Sequence, residues 1–309
     1  MRALLAADRT AGFGGLAVRD VGHPHTAEND VVVRVCAAGF TPGELDWPGT
    51  WTDRNGHDRA PSVLGHEVSG VVAELGFGTT GLTIGQRVCG LTDWARDGSL
   101  AEYVAVEARN LAPLPADVDH TTAAALPISG LTAWQALFVH ATVRPGQSVL
   151  IHGAAGAVGS VAVQLAREAG AHVIGTGRAD DRDVVLGLGA AEFVDLAADG
   201  LDSVGEVDVV LDVIGGDVAN RSAALVRAGG TLVSIAGPPE NTPRDGRALF
   251  FVVEPDRHQL AELLERVRSG RLRVLVGDVL ELGDAVSAFT RRRRGKTIIR
   301  VDPQGTAPS

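Results

Sequence analysis

One stretch, residues 148–178, constrains the fold of this chain more than any other. It opens with the apolar run Val149–Ile151, which lies between two glycines and is typical of a buried parallel strand. Apolar residues then recur at helical spacing over Val158–Ala169, and Gly170 is placed to end that helix. A second strand-like run, His172–Gly175, follows. The stretch therefore predicts a β-α-β unit.

Small residues fill the turn between the first strand and its helix. Gly156 lets the N–H groups at the helix N-terminus approach a pyrophosphate, and Gly159 lets the helix lie close to the strand. We expect this turn to bind a dinucleotide, because it stands between a strand and a helix. The alternative is a turn that is small only for packing. The residues assigned to the pyrophosphate are Gly153, Ala154, Gly156, Ala157, Val158 and Gly159, with Ala154 in place of the first glycine of G-x-G-x-x-G.

The end of the second strand bears on the choice between NAD and NADP. NAD sites usually carry Asp or Glu about 20 residues past the glycines, whereas NADP sites leave that place uncharged and bring an arginine close. Here Thr176 and Gly177 precede Arg178, and Arg182 follows one helical turn later. We therefore expect NADPH, with these four residues at the adenosine phosphate. The alternative is that this segment is only the solvated start of a helix, where acidic residues such as those between the two arginines are favourable.

Composition limits the class of protein and its partners. The 309 residues are 45% hydrophobic and 21% charged, which is enough for two globular domains. A net charge of -10 disfavours nucleic acid and membrane as partners, and the basic run 291–294 is interpreted as a solvated surface strip. Cys36 and Cys89 form no ligand motif and fit a reducing compartment. Without a recognisable signal peptide or long apolar stretch, we expect a cytoplasmic protein.

The rest of the chain divides into a β-rich first part and an alternating second part. Residues 1 to about 115 predict a small barrel or curled sheet with a long loop at 39–61, whereas strands and helices alternate from 116 to 250. The fold class is therefore α/β with a doubly wound parallel sheet, and periodicity does not assign the tail 251–309. Predicted strands are Asp30–Ala38, Glu67–Leu75, Arg87–Leu91, Ala101–Val106, Phe193–Asp195, Val207–Val213, Thr231–Ile235, Phe250–Val253 and Lys296–Val301, and predicted helices are Val218–Arg227 and His258–Arg268.

Several motifs in a fixed order resemble the medium-chain dehydrogenase/reductase superfamily, and within it the zinc-free, NADPH-dependent quinone oxidoreductase (zeta-crystallin-like) branch. The motifs include A-A-G-F-T-P-G-E-L-D at 37–46, G-H-E-V-S-G-V-V at 65–72, I-S-G-L-T-A-W at 128–134, H-G-A-A-G-A-V-G at 152–159 and G-K-T-I-I-R-V at 295–301. The resemblance implies a GroES-like β-barrel catalytic domain over 1–115 and a Rossmann NADP-binding domain over 116–250. It also implies a return segment over 251–309 that completes the catalytic domain.

The resemblance also assigns site residues. Thr41, Pro42 and Thr132 should lie beside the nicotinamide, and later strand ends and the segment after them should line the cofactor. The lining residues are Ile214, Gly215, Ala236 and Gly237, with Phe250, Phe251 and Val252 closing over the nicotinamide. Thr41, His66 and Asp46 are the candidate catalytic residues, with the alternative that His66 is a structural histidine rather than a ligand. Further proton-donor candidates in the loop are Glu44 and His57, with the alternative that these and Asp46 are surface polar groups.

Zinc-dependent relatives need a cysteine in the entry loop, the histidine of G-H-E and a third ligand. Thr41 stands where the cysteine would be, and Pro127–Ser129 supplies no thiol. His66 alone falls short of the three or so protein ligands that a catalytic zinc needs. We therefore expect a metal-free protein.

The implied reaction is hydride transfer from NADPH to a quinone or an α,β-unsaturated carbonyl, with solvent able to protonate the product. Trp47, Trp51 and Trp94 indicate an aromatic-lined pocket for a small-molecule substrate. The alternatives are an enoyl reductase of a polyketide or fatty-acid pathway and a non-catalytic NADPH-binding redox sensor. We also expect a homodimer joined at the edge strands of the Rossmann sheets.

Overall fold

The computed structural model of the chain describes residues 1–290 and 294–302. The chain divides into two compact units. Unit 1 comprises Met1–Ile128, Pro255–Arg271 and the described residues from Val276 onward, and unit 2 comprises Ser129–Glu254 and Leu272–Leu275. Of the basic run predicted as a surface strip, residues 291–293 lie outside the described residues. None of the described helices combines the length and the apolar character needed to cross a bilayer.

Strands and α-helices are numbered in chain order. The strands are β1 (Arg2–Ala6), β2 (Leu16–Asp20), β3 (Asp30–Gly39), β4 (Ser62–Val63), β5 (Glu67–Leu75), β6 (Arg87–Leu91), β7 (Tyr103–Glu107), β8 (Leu111–Pro113), β9 (Ser148–Ile151), β10 (His172–Gly177), β11 (Glu192–Asp195), β12 (Val207–Asp212), β13 (Val226–Ser234), β14 (Arg247–Phe250), β15 (Val276–Glu281) and β16 (Lys296–Arg300). The helices are α1 (Pro48–Trp51), α2 (His120–Ala124), α3 (Pro127–Trp134), α4 (Ala157–Glu168), α5 (Arg182–Gly187), α6 (Gly216–Ser222), α7 (Arg257–Arg268) and α8 (Ala285–Ala288).

Unit 1 is built on a curled, mainly antiparallel sheet. Its strand order is β15-β16-β3-β5-β6-β8, with β7 also paired to β3, and a smaller sheet has the order β2-β1-β4. The register between β3 and β5 slips at two points, and such bulges increase the twist that curls a sheet. Alternate side chains along these strands, including Val31, Val33, Val68 and Val72, are buried in one core.

Unit 2 is built on a parallel sheet of six strands in the order β11-β10-β9-β12-β13-β14. Its strands are rich in β-branched residues and are largely buried, as expected for strands covered on both faces. The order reverses between β9 and β12, and ligands of doubly wound sheets bind at the carboxyl ends of the strands beside such a reversal. The predicted α/β class and doubly wound sheet are confirmed.

The strand predicted over Thr231–Ile235 begins earlier, at Val226 in β13, and two further predicted elements of unit 2 have wrong boundaries. The helix predicted over Val218–Arg227 ends at Ser222, because Val226 already pairs with Val207 at the start of β13. The strand predicted over Phe250–Val253 lies three residues earlier, since β14 takes its register from β13. Both errors arise where long-range pairing, rather than local apolar pattern, sets the strand end.

The segment predicted as a loop at 39–61 also contains regular structure. A 3-10 helix covers Pro42–Asp46 and α1 follows it directly. Trp51 closes this pair, because its Nε1–H donates to the carbonyl oxygen of Leu45 at 2.7 Å and its ring is buried in the core of unit 1. The sequence indicated Trp51 as part of an aromatic pocket, but its buried position makes it a packing residue.

Candidate functional site

The turn between β9 and α4 lies at the carboxyl ends of the central strands of unit 2. A Cβ atom on Gly159 would lie 2.3 Å from the carbonyl oxygen of Gly153, so only glycine lets α4 approach the turn this closely. The N–H of Gly156 closes the turn by donating to Gly153 at 2.8 Å, and Ser160 donates back to Gly156. Helix geometry leaves the intervening N–H groups without partners inside the helix. The turn therefore fits a pyrophosphate held by the N–H groups of residues 157–159.

A buried histidine fixes the strand end just before this turn. The hydroxyl of Ser222 donates to the carbonyl of Val218 at 2.7 Å, so it accepts the Nε2–H of His152 at 2.8 Å. Nδ1 of His152 then accepts from the hydroxyl of Thr176 at 2.9 Å. Burial lowers the pKa of His152 to about 4, which keeps the ring neutral. The sequence did not single out His152, and the Thr176 hydroxyl, predicted to contact the adenosine phosphate, is bonded to this ring.

Predicted lining residues from two neighbouring strand ends, those of β12 and β13, come together at the same edge. The buried carboxylate of Asp212 accepts the hydroxyl of Ser234 at 2.7 Å and the N–H groups of Ile214 and Gly215, each at 3.0 Å. A Cβ atom on Gly215 would lie 2.9 Å from Cβ of Ala236, so these two segments touch. The side chain of Ile214 is exposed and is free to contact a ligand.

The adenosine end of the predicted site carries no acidic side chain at the position of Gly177. A Cβ atom there would lie 3.0 Å from Oδ2 of Asp181 and 3.3 Å from the Phe193 ring. That Asp181 oxygen accepts the N–H of Arg178 at 3.1 Å, while the Arg178 side chain is exposed. The guanidinium carbon of Arg182 lies 5.1 Å from the centre of the Phe193 ring, a cation–π distance. Arg178 is thus open to a ligand, and Arg182 is stacked on β11.

The remaining predicted cofactor residues of unit 2 differ in exposure. Thr132 lies in α3 and is buried, whereas Phe250 and Val252 are exposed. The ring of Phe251 lies 4.3 Å from that of His140, centre to centre. Gly237 follows Ala236 beyond the end of β13.

In unit 1, the segment that carries Thr41, Pro42 and Asp46 is held by Glu44. Oε1 of Glu44 accepts the N–H of Thr41 at 2.8 Å, and Oε2 accepts the N–H of Gly65 at 2.8 Å. The carboxyl group is fully buried, so its interpretation as a surface polar group is wrong. Burial raises the pKa of Glu44 to about 7, against the opposing effect of these N–H bonds. Pro42 and Asp46 are exposed on either side of it.

His66 lies within a cluster of aromatic rings. Its Nδ1 pairs with the hydroxyl of Thr92 at 2.8 Å, and its ring centre lies 6.0 Å from Trp47 and 5.1 Å from Trp94. The two indoles meet edge to face at 5.2 Å. Burial lowers the pKa of His66 to about 3, and the charge of Arg59 acts in the same direction. The ring is therefore neutral near pH 7 and has no proton to give as an imidazolium.

Other titratable side chains in unit 1 do not assemble into a metal centre. Among residues 1–290 and 294–302, no three His, Cys, Asp or Glu side chains are grouped so as to hold a metal ion. Cys36 and Cys89 are buried thiols, and burial raises the pKa of Cys89 to about 12. His57 is exposed and its Nδ1 pairs with Asp53 at 3.0 Å. Metal independence remains a prediction.

Comparison with known proteins gives two family matches along the chain. Residues 27–116 match the alcohol dehydrogenase GroES-like domain, and residues 188–299 match a family described as zinc-binding dehydrogenase. The first match confirms the GroES-like fold expected for the β-rich part.

Individual relatives match over nearly the whole chain or over a small part of a larger protein. The quinone oxidoreductase of Sus scrofa is 32% identical, with 96% of this chain and 98% of that protein covered. The solved quinone oxidoreductase of Coxiella burnetii has a TM-score of 0.89 at 28% identity, covering 97% of this chain and 99% of that one. The spectinabilin polyketide synthase system protein NorB of Streptomyces orinoci is 35% identical over 79% of this chain, which spans only 12% of that protein.

Proposed function

The chain belongs to the medium-chain dehydrogenase/reductase superfamily, in its quinone oxidoreductase-like branch, and from this premise we propose that it reduces a quinone or an α,β-unsaturated carbonyl with NADPH. Oxidoreductases of this superfamily bind a nicotinamide cofactor. The observation that carries the proposal is the glycine turn of unit 2, whose N–H groups lie at the reversal of strand order. Bound NADPH supplies the hydride, and the protein supplies binding and orientation.

The preference for NADPH is supported by the end of β10. A carboxylate at the position of Gly177 would bond the ribose hydroxyls of NADH, and glycine offers none. The exposed guanidinium of Arg178 matches a 2′-phosphate in charge and shape. Asp181 lies nearby, but its carboxylate accepts the N–H of Arg178. We assign Arg178 as the main 2′-phosphate contact, with Arg182 as a second cation held by Phe193.

The acceptor is proposed to contact unit 1 at Trp47 and Trp94. Both indoles are only partly buried, so part of each ring is available to a planar substrate. Buried His66 packs against both indoles and, because it is neutral, does not serve as the acid. A quinol or an enolate takes its proton readily from solvent, so no buried donor is required.

The proposal also covers metal, location and assembly. Thr41 and the pairing of His66 with Thr92 support a reaction without zinc. Two buried free thiols are compatible with a reducing cytoplasm. The parallel sheet of unit 2 ends at β14, which supports a homodimer through this edge.

A second candidate function is enoyl reduction for a polyketide pathway. The observation that favours it is the similarity to a segment of the Streptomyces orinoci polyketide synthase protein. On this alternative the acceptor is an enoyl thioester. The nicotinamide cofactor and the glycine turn would be used in the same way, so cofactor binding does not distinguish the two functions.

Oxidation of NADPH at 340 nm separates the candidates. The acceptors are 1,4-benzoquinone, 1,4-naphthoquinone, 9,10-phenanthrenequinone and the N-acetylcysteamine thioester of crotonic acid, each measured against a background without protein. Faster turnover of the quinones supports the proposed function, and preferential turnover of the thioester supports enoyl reduction. NADPH binding without turnover of any acceptor would contradict both and leave a redox-sensing role. Repeating the assay with NADH tests the cofactor preference.

A further inference from the structure

Resting on the proposed function, we propose that Glu44 is a positioning residue that holds Thr41 and the Gly65–His66 corner in one arrangement through a single buried carboxylate. Each carboxylate oxygen accepts one backbone N–H, from Thr41 at 2.8 Å and from Gly65 at 2.8 Å. Two segments that are 24 residues apart in sequence, at Thr41 and Gly65, therefore share one side chain. Thr41 is the predicted neighbour of the nicotinamide, and Gly65 precedes the histidine of the aromatic cluster.

Helix capping explains only one of the two bonds. Thr41 is the N-cap of the 3-10 helix Pro42–Asp46, and a Glu three residues later often accepts the N-cap N–H. The bond from Gly65 lies outside that motif and reaches a different part of unit 1. Capping glutamates are ordinarily solvated, whereas this carboxyl is fully buried. The second bond and the burial are what a positioning role requires.

The backbone at Gly65, one of the two anchor points, leaves no room for a side chain. Gly65 has a φ of 84°, and a Cβ atom there would lie 2.7 Å from Cγ of Leu100. Glu44 is fixed at its own main chain, since its carbonyl oxygen accepts the hydroxyl of Thr50 at 2.5 Å. The carboxylate is thus a short brace between two backbone segments, and loss of its bond with Gly65 leaves a buried N–H without an acceptor.

The charges facing Glu44 come from two other strands of unit 1. They are the ammonium of Lys296 on β16 and the carboxylate of Glu67 on β5. Lys296 forms its ion pair with Oε2 of Glu67, while Oε1 of Glu67 accepts the N–H of Ile128 at 2.9 Å. Two buried carboxylates, those of Glu44 and Glu67, therefore share the one positive charge of Lys296. Glu67 takes the direct ion pair, and Glu44 depends on its two N–H donors.

Protonation of Glu44 should loosen the brace. A protonated carboxyl has one hydroxyl oxygen, which is a poor acceptor, so it cannot hold both N–H groups as the carboxylate does. The pKa of Glu44 is raised to about 7 by burial, with Glu67 adding to the rise and Lys296 opposing it. The ordered form is thus the ionised form, which is present above this pKa and is lost as the pH falls through it. Turnover should rise with pH through the same range.

The test compares Glu44→Gln with Glu44→Asp and with the control Glu74→Gln, which removes an exposed carboxylate from the same unit. Glu44→Gln keeps the shape but presents an amide NH2 to one of the two N–H groups. We expect kcat with 1,4-naphthoquinone to fall at least tenfold, the NADPH dissociation constant to change less than threefold, and the acid limb of the kcat profile to disappear. Glu44→Asp should restore a titrating limb at reduced kcat, because it restores a carboxylate one methylene too short. Wild-type kcat and an unchanged pH profile in Glu44→Gln would overturn the proposal.

Hydrogen exchange of the wild-type protein provides a readout that needs neither a variant nor turnover. After correction for intrinsic exchange rates, protection of the amides of residues 41 and 65 should fall at least tenfold between pH 8 and pH 6, while the core of β5 stays protected. Equal protection at both pH values would contradict the role of Glu44. Absence of turnover with every acceptor would contradict the proposed function but not the role of Glu44, because hydrogen exchange tests that role without turnover.

Discussion

The Nε2–H of His152 donates to the hydroxyl oxygen of Ser222 at 2.8 Å inside unit 2. This bond joins the end of β9, immediately before the phosphate turn, to the last residue of α6. The hydroxyl of Thr176 completes the arrangement at Nδ1. A neutral imidazole satisfies both neighbours. A protonated ring presents a second N–H to Thr176 and places a positive charge in the buried interior, away from solvent.

We expect His152 to make the protein less stable in acid. The unfolded chain binds a proton at a histidine near pH 6.5, but the folded protein leaves His152 neutral down to about pH 4. Between these values the unfolded state holds more protons, so the free energy of unfolding falls as the pH is lowered, by at most about 3 kcal/mol from this group. Urea unfolding of wild type and His152→Gln from pH 7.5 to 4 measures it. The stability advantage of wild type should shrink on acidification, and the exposed His25→Gln serves as the control. Parallel curves for wild type and His152→Gln would contradict the assignment.

Arg178→Ala should weaken the use of NADPH and leave that of NADH nearly unchanged. A guanidinium meets a phosphate through charge-assisted hydrogen bonds worth roughly 1.5 to 3 kcal/mol, and NADH lacks that phosphate. The expected loss in kcat/KM for NADPH is about 10- to 100-fold, reduced where Arg182 compensates. Both cofactors are measured in wild type, Arg178→Ala and the exposed control Arg144→Ala. A wild-type preference for NADH, or an equal loss with both cofactors, would show that Arg178 is part of a solvated helix start.

The local apolar pattern was sufficient to predict strands that have a paired neighbour on each side in the sheet. The predicted strands Glu67–Leu75 and Arg87–Leu91 agree with β5 and β6 at both ends. It failed for the short strands β1, β2 and β15, which were not predicted because their formation depends on pairing with another strand rather than on a local apolar pattern. The end of α6 failed for the same reason.

Site residues could be predicted from the sequence where the backbone geometry requires one residue type. They were harder to predict where the role of a side chain depends on its burial in the fold. Gly159 could be read from spacing because a Cβ atom has no room there. The bonding of His152 could not, because its partners Thr176 and Ser222 lie 24 and 70 residues away in sequence. Glu44 looked like a loop carboxylate, and only the fold shows that Gly65 donates to it. A carboxylate three residues after a threonine N-cap was the one available signal.

The protein is expected to work without bound metal. Thr41 stands where zinc-dependent relatives have a cysteine ligand, and Nδ1 of His66 pairs with the hydroxyl of Thr92. His66 alone falls short of the three or so protein ligands of a catalytic zinc. Elemental analysis of protein purified without chelator should give far less than one zinc per chain. Activity should survive dialysis against a chelator. Stoichiometric zinc together with loss of activity on its removal would refute this prediction.

We expect a homodimer formed through the edge of the unit 2 sheet. β14 is the last strand in the order, and the exposed side chains at or just after it include Phe250 and Val252. An exposed apolar edge strand is an aggregation hazard unless it is covered. Light scattering at micromolar concentration should give twice the chain mass. A monomer at 10 to 100 micromolar would contradict the prediction.

Removal of either indole beside His66 should selectively impair planar acceptors. Trp47 and Trp94 lie 6.0 and 5.1 Å from the His66 ring, and each is partly exposed. Loss of one aromatic contact is worth roughly 0.5 to 1.5 kcal/mol, so Trp47→Ala or Trp94→Ala should lower kcat/KM for 9,10-phenanthrenequinone by about 2- to 13-fold. Stacking binds the acceptor equally in the ground state and the transition state, so its loss should raise KM more than it lowers kcat. The crotonyl thioester, which has no ring to stack, should respond less than twofold.

The matched variants for the indole test are Trp47→Phe, which keeps a ring, and Phe77→Ala, which removes an exposed ring elsewhere in unit 1. Trp47→Phe should retain most of the activity with the quinone, and Phe77→Ala should behave as wild type. Equal losses with the quinone and the thioester would mean that the indoles only support the fold around His66. A loss confined to the thioester would assign these rings to the enoyl reductase alternative, because stacking on a planar acceptor predicts the opposite order.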